Sequence, residues 1–192
     1  QTVRATENKI DKGIIPQFYI TLHPNVFKRR EDFNLGYITN YFKHNAKSTQ
    51  HTLEEILQLS SQGRCYMPSF VECEDGEYHF VSSKLILIDI DDDDCVADPH
   101  QVLEQLKDVC AGLFFTGSHG IKGHRYRLLF ASDQSIRSER EYTAITELLI
   151  SKLKQVGLPA DEQAQSPTQR IRTAMNGYIL SNPDARLRVE DY

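Results

Sequence analysis

Two aspartates, Asp89 and Asp91, stand at the end of an apolar run, Leu85-Ile86-Leu87-Ile88, with only Ile90 between them. Such a run reads as a strand buried on both faces inside a sheet. Side chains alternate along a strand, so Asp89 and Asp91 project on one face with their carboxylates close together. Two ionised carboxylates that near each other resist burial unless positive charge lies between them. A hard divalent cation held through oxygen, Mg²⁺ or Mn²⁺, meets that need. Asp92, Asp93 and Asp94 follow and are expected to form a solvated loop. Asp89, flanked by Ile88 and Ile90, does not fit that plainer reading.

A second group lies downstream. Thr116-Gly117-Ser118-His119-Gly120 and then Ile121-Lys122-Gly123-His124-Arg125-Tyr126-Arg127 form a glycine-rich loop that runs into a basic strand. Glycine lets backbone N–H groups approach an anion, and Ser118, His119, Lys122 and Arg125 add side-chain donors. His124 and Arg127 extend the basic stretch. A triphosphate paired with a divalent cation suits such a loop beside two carboxylates; the plain alternative is a hairpin turn with incidental polar residues. A third group is Asp161 with Gln169, Arg170 and Arg172. Alone, these read as surface residues, Arg170 as an ion-pair partner, and the first two groups give them their weight.

Several chemistries use two aspartates in this spacing. A calcium-binding EF-hand loop starting at Asp89 needs glycine at its sixth position and glutamate at its twelfth; the chain has Asp94 and His100 there. Phosphatases of the haloacid-dehalogenase type follow the pair with Gly-Thr, where this chain has Asp92-Asp93. Nucleotidyltransferases of the polymerase-β type carry a Gly-Ser pair on a helix shortly before it, and none is present.

The elements that must position these groups alternate between strands and helices. Residues 17–23 alternate apolar and polar side chains as a strand does. The aromatic-rich stretch 32–45 suits a helix through the Tyr37/Tyr41 spacing. Thr52 caps a helix over 53–61 with Glu54 and Glu55 in its first turn, and Gly63 ends it. Strands are expected at 65–72 and 78–81, turning at Glu74-Asp75-Gly76-Glu77. After the acidic strand, Pro99 opens a helix over 101–110, followed by strands at 113–116 and 126–131. Ser138 caps a long amphipathic helix to about Val156, which Gly157 and Pro159 stop. Short strands at 170–174, 177–180 and 186–189 complete the pattern.

This is an α+β chain read as one domain of 192 residues, with 1–63 a subsidiary lobe and 64–192 the metal-binding core. Residues 1–15 carry no strong pattern and are expected to be a loosely packed lead-in. No apolar run is long enough to span a membrane and no signal peptide is visible. Cys65, Cys73, Cys95 and Cys110 lack CxxC spacing, so reduced thiols in the cytoplasm are expected rather than structural zinc. The chain begins with Gln1 and is expected to be an excised piece of a longer protein. Its net charge of −5 argues against binding nucleic acid by bulk electrostatics, although the run from Asp89 to Asp94 carries five of the negative charges.

In order, the three groups resemble the archaeo-eukaryotic primase (AEP) superfamily, in particular the primase-polymerases (PrimPols) of plasmids, phages and other mobile elements. Leu87-Ile88-Asp89-Ile90-Asp91 is similar to its first motif and Gly117-Ser118-His119 to its second, while Asp161 is the candidate for its third acid. Arg170 is similar to the arginine that follows that acid. The likeness runs from about residue 52 to 178. It implies a catalytic α+β core with an RRM-like sheet and a small N-terminal α/β unit. It also implies template-directed nucleotidyl transfer from NTPs or dNTPs on a single-stranded DNA template. Asp89, Asp91 and Asp161 would hold two Mg²⁺ or Mn²⁺ ions; Ser118, His119 and Arg170 would grip phosphates, and a helicase or accessory domain would lie outside this piece. The rival readings are a metal-dependent phosphohydrolase or nuclease using the same carboxylates, and a primase-like domain that binds nucleotide or nucleic acid without catalysis.

Overall fold

The computed structural model describes residues 15–162 and 166–192. The expected lead-in therefore lies almost wholly outside the described residues. The fold is mixed α+β, with two antiparallel sheets and, among the described residues, four α-helices. No helix among them is long and apolar enough to cross a membrane.

The chain opens with β1 (Phe18–Leu22), α1 (Leu35–Asn45), β2 (Ser48–His51) and α2 (Leu53–Ser60). Asn34 caps α1 through Tyr37 N–H. Thr52 caps α2 in a reciprocal box with Glu55, satisfying two amides that a helix start otherwise leaves open. Next come β3 (Cys65–Met67) and β4 (Phe70–Glu74), and then β5, a single strand of 16 residues over Glu77–Asp92. The strand expected at 78–81 and the acidic strand are thus one element. Asp75 and Gly76 both have positive φ and form the two-residue turn between β4 and β5.

After β5 the chain forms α3 (Pro99–Gln105), β6 (Cys110–Phe115), β7 (His124–Ile136), α4 (Glu139–Gln155), β8 (Ile171–Arg172) and β9 (Tyr178–Leu180). The helix expected over 101–110 starts at Pro99, ends at Gln105 and gives Cys110 to the next strand. Residues 186–189 do not form a strand. Leu187 makes one isolated bridge to Ser132, and a short 3-10 turn follows at Val189–Asp191.

The larger sheet runs β4-β5-β7-β6-β9 and the smaller β2-β1-β3-β8. On one face of the larger sheet, Ile86, Ile88, Ile90, Leu128 and Phe130 pack with Val102 and Leu103 of α3 and Leu149 and Leu153 of α4. On the other, Leu85, Leu87, Phe114 and Leu129 meet Ile56 and Leu57 of α2 and Phe18 and Ile20 of the smaller sheet. Each fully buried aliphatic side chain contributes roughly 2 kcal/mol, so β5 and β7 form the rigid floor between two cores. A third cluster joins Ile38 and Phe42 of α1 to Cys65, Met67 and Val71.

Candidate active site

The site grows from the register of β5 on β7. Asp89 lies opposite Arg127, Asp91 opposite Arg125, and Asp92 opposite His124. By alternation, Asp89, Asp91, Arg125 and Arg127 share the sheet face that carries Leu87 and Phe114, while Asp92 and His124 share the opposite face with Ile90 and Tyr126. The sheet therefore sorts six polar side chains into two groups that the linear sequence interleaves.

Asp161 joins the first group through the backbone. After Gly157 ends α4 with φ +86°, Leu158 and Ala160 bury themselves in the core beside Ile90. Ala160 bridges Ile90, Asp91 N–H donates to Pro159 O over 3.1 Å, and Asp161 N–H donates to Asp89 O over 2.9 Å. This short antiparallel pairing puts Asp161 directly beside Asp89 on the same face. The neighbouring acid, Glu162, instead forms an exposed ion pair with Lys154 at 2.6 Å.

The carboxylates are not bare. Arg127 grips Asp89 at two points, Nε to Oδ1 at 2.5 Å and Nη2 to Oδ2 at 2.6 Å. Arg125 Nη1 meets Asp91 Oδ2 at 2.6 Å, and its Nη2 reaches Asp93. Burial alone would lower Arg127, but the Asp89 charge and hydrogen bonds outweigh it and hold the guanidinium above its ordinary range. Asp92, expected in solvent, is only 2% exposed. Its Oδ2 accepts the Ala97 N–H at 2.6 Å and lies 3.5 Å from His124 Nδ1. It is a structural anchor because the turn after β5 must satisfy the buried amide of Ala97.

The glycine-rich loop between β6 and β7 folds on itself. Its His119, Gly120, Ile121 and Lys122 amides donate to the loop carbonyls of Thr116, Gly123 and Ser118. They are therefore not turned toward an anion, as the glycine content suggested. The glycines serve packing as well: a Cβ on Gly123, which has φ +87°, would lie 2.1 Å from Asp92 O. That contact presses the loop against the end of β5. His119 accepts the Arg125 N–H at Nδ1, and its ring lies 4.2 Å from Phe115 and 5.9 Å from His124. Burial, and secondarily His124, keeps His119 below its ordinary range. A neutral ring that accepts at Nδ1 carries its proton on Nε2.

A cleft of about 960 Å³ opens beside this loop. Its walls hold Lys28, Arg29, Lys122, Arg127, Arg170 and Arg172, and no carboxylate among the described residues. Ser118 also lines it. Of the sequence-predicted donors, then, Ser118, Lys122, Arg127, Arg170 and Arg172 converge on the cleft, whereas His119, His124 and Arg125 do not line it. Arg170 Nη1 donates to Tyr78 Oη at 3.4 Å, and the Arg172 guanidinium lies 5.5 Å from the Phe33 ring. Asn176 Nδ2 donates to Thr116 O at 2.6 Å and ties the far wall to the glycine loop. The sequence reading missed the wall at Phe27, Lys28, Arg29 and Phe33. The run Lys28-Arg29-Arg30 in the loop between β1 and α1 was its visible signal.

The two buried thiols do not compete for the site. Cys65 and Cys110 are buried, which pushes each thiol up to about 12, and a protonated, enclosed sulfur is a poor nucleophile.

Comparison with known proteins gives little by sequence: no protein-family profile matches the chain, and no curated protein matches it. Among solved structures, it is similar to the AEP domain of the cyanophage S-2L primase-polymerase (PrimPol). The two are 14% identical, with 92% of this chain and 86% of that chain covered and a TM-score of 0.46. The likeness is a distant one, of fold.

A divalent ion at Asp89, Asp91 and Asp161 can be tested against the side chains. Both Asp89 oxygens are engaged by Arg127 and Asp91 Oδ2 by Arg125. Among the described residues no three acidic, histidine or cysteine side chains converge as a metal cage. The backbone aligns the carboxylates, but in this arrangement the side chains do not fit the ion.

Proposed function

We propose that this chain is a DNA primase-polymerase domain that performs template-directed nucleotidyl transfer from NTPs or dNTPs along single-stranded DNA. The observation that carries this reading is a cleft with six cations and no described carboxylate in its walls, one strand away from three aspartates aligned on one face. A polyphosphate is the ligand class that such a cleft attracts. Ser118, Lys122, Arg170 and Arg172 would hold the phosphates and neutralise charge where it develops on the leaving group. Phe33 and the apolar rim around it offer contact for a base. Asp89, Asp91 and Asp161 are the carboxylates that would hold Mg²⁺ or Mn²⁺, and for that Asp89 and Asp91 would have to give up their contacts with Arg127 and Arg125.

A second reading rests on the two-point Arg127–Asp89 contact. A carboxylate held permanently in that way would make this a primase-like domain that binds nucleotide without turning it over. Incubation with single-stranded template, nucleoside triphosphates and Mn²⁺ separates the readings. Template-dependent products that vanish in the Asp89→Ala/Asp91→Ala variant support nucleotidyl transfer. Nucleotide binding without turnover leaves the second reading, and degraded template or released phosphate without extension points to a nuclease or phosphohydrolase.

A further inference from the structure

The basic cleft is not polar throughout. Ile121 is 80% exposed, Met175 58% and Leu35 56%, and all three line it, as does Phe33. They come from three separate segments: Phe33 and Leu35 from the start of α1 and the residues before it, Ile121 from the loop between β6 and β7, and Met175 from the connection between β8 and β9. A single exposed apolar side chain is ordinary, but three around one cleft that also holds six cations make an amphiphilic surface.

The neutral polar side chains of the walls are mostly turned to the protein itself. Thr116 Oγ1 donates to Arg125 O at 3.4 Å, Thr173 Oγ1 to Arg64 O at 2.8 Å and Asn176 Nδ2 to Thr116 O at 2.6 Å. That leaves Ser118, assigned above to phosphate, and Gln169. The cleft therefore offers a ligand charge and apolar surface, and little that tells a donor from an acceptor. The loop between β6 and β7 adds to this. It is bonded within itself, rests on the end of β5 at Gly123 and is tied to the far wall through Asn176. Such a loop holds Ile121 in water, where covering it is favourable.

A nucleoside triphosphate has both halves that this surface asks for. Its phosphates suit the arginine wall, and its base brings two apolar faces to Ile121, Leu35 and Phe33. Packing on those faces does not depend on the groups along the base edge, since every base has a π-face. Inorganic polyphosphate would leave the apolar rim uncovered, and an apolar peptide would meet a wall of like charges. A cleft of about 960 Å³ has room for one such nucleotide.

We infer that Ile121 and Leu35 hold the base of the nucleotide by apolar contact, so that the cleft takes nucleotides with little regard to which base they carry. This rests on the nucleotide reading of the cleft. It gives the loop between β6 and β7 a role that its inward-bonded amides do not, which is to present Ile121 beside Lys122.

The test is titration of the intact chain in EDTA, so that no divalent ion takes part. The ligands are ATP, GTP and ribose 5′-triphosphate, which has the same phosphates and sugar without a base. ATP and GTP are expected to bind about tenfold more tightly than ribose 5′-triphosphate, within the range that packing one base contributes. They should agree with each other within about threefold, although the donor and acceptor on their base edges are interchanged. The double variant Ile121→Ser/Leu35→Ser should bring ATP down to the affinity of ribose 5′-triphosphate and leave the latter within about twofold of wild type. Val156→Ser, at an apolar position 63% exposed and outside the cleft, should change neither. Ribose 5′-triphosphate binding as tightly as ATP overturns the inference, as does an equal loss of both ligands in the double variant. A preference above about tenfold between ATP and GTP also overturns it. Failure of the wider reading looks different. If no triphosphate binds, the cleft is not a nucleotide site and the inference goes with it; if the base adds affinity but no template-directed synthesis occurs, the base-holding residues stand and the polymerase does not.

Discussion

The main-chain amide of Asp161 donates to the carbonyl of Asp89 over 2.9 Å. This bond decides which of two adjacent acids belongs to the site, since Glu162 turns away to Lys154. Asp161→Asn is expected to reduce template-directed synthesis by about 100-fold or more, the size of effect seen when a group acting on the transition state is removed. Glu162→Gln should stay within about twofold, since exposed pairs contribute little. Primer extension with Mn²⁺ measures both. Equal losses in the two variants would remove Asp161 from its assigned place.

Asp92 gives a contrast inside the acidic run. Its carboxylate accepts the buried Ala97 amide, so Asp92→Ala is expected to destabilise the fold by about 1–3 kcal/mol, the cost of leaving such a donor unsatisfied. Asp94 is exposed, and Asp94→Ala should change stability by less than about 0.5 kcal/mol. Urea unfolding of the two variants distinguishes an anchored Asp92 from a solvated one.

The paired aspartates, the apolar stretches of β5 and β7 and helix α4 were legible in the sequence because period and capping are local signals, although neither long strand was read at its full length. Thr52 and Ser138 begin helices where their side chains can reach an amide three residues on. Asp92 was misread because alternation along β5 continues beyond the point where the apolar residues stop, and only the pairing with His124 shows it. The arginine partners were equally out of reach. Arg125 and Arg127 read as phosphate donors until the β5–β7 register placed each opposite an aspartate. The cleft needed residues from three distant segments, and no spacing rule joins Lys28 to Lys122 and Arg172.

The two glycines with positive φ in the loop between β6 and β7 should behave differently. At Gly123 a Cβ would collide with Asp92 O at 2.1 Å and Asp93 Cα at 2.8 Å, whereas at Gly120 it meets nothing within 4 Å. Gly123→Ala therefore combines backbone strain with overpacking and is expected to lose roughly 3 kcal/mol. Gly120→Ala carries only the left-handed backbone penalty, about 1 kcal/mol. Denaturant midpoints at unchanged m-value check the ranking. If Gly120→Ala is the worse of the two, the loop does not rest on the end of β5 as described.

Acid sensitivity follows from two imidazoles. His23 sits among the rings of Phe27, Tyr37, Tyr41 and Phe42, and its burial holds it below the ordinary 6.5. His119 is lowered in the same direction. Below about pH 6.5 the unfolded chain takes up protons that these folded rings refuse, so stability is full above that pH and falls as pH drops. His23→Phe fits the aromatic surroundings and should flatten part of this fall between pH 7 and 5. Unfolding free energies of wild type and variant across that range provide the measurement, and parallel curves would show that His23 does not contribute.

The basic cleft makes a last distinction among its own arginines. Arg29 is 68% exposed and already meets Asp32 at 2.9 Å and Glu31 at 3.6 Å. Its charge is therefore largely cancelled and screened by solvent before any ligand arrives. Arg170 and Arg172 are half-buried on the opposite wall, where a hydrogen bond from a charged group to phosphate contributes about 1.5–3 kcal/mol, or about ten- to a hundredfold in affinity. Arg170→Gln and Arg172→Gln are each expected to weaken binding of a nucleoside triphosphate with Mg²⁺ by that factor, and Arg29→Gln by less than about threefold. Isothermal titration at two salt concentrations reads both the affinity and its salt dependence. Should Arg29→Gln cost as much as Arg172→Gln, the phosphates lie at the rim of the cleft and not on the wall beside Arg127.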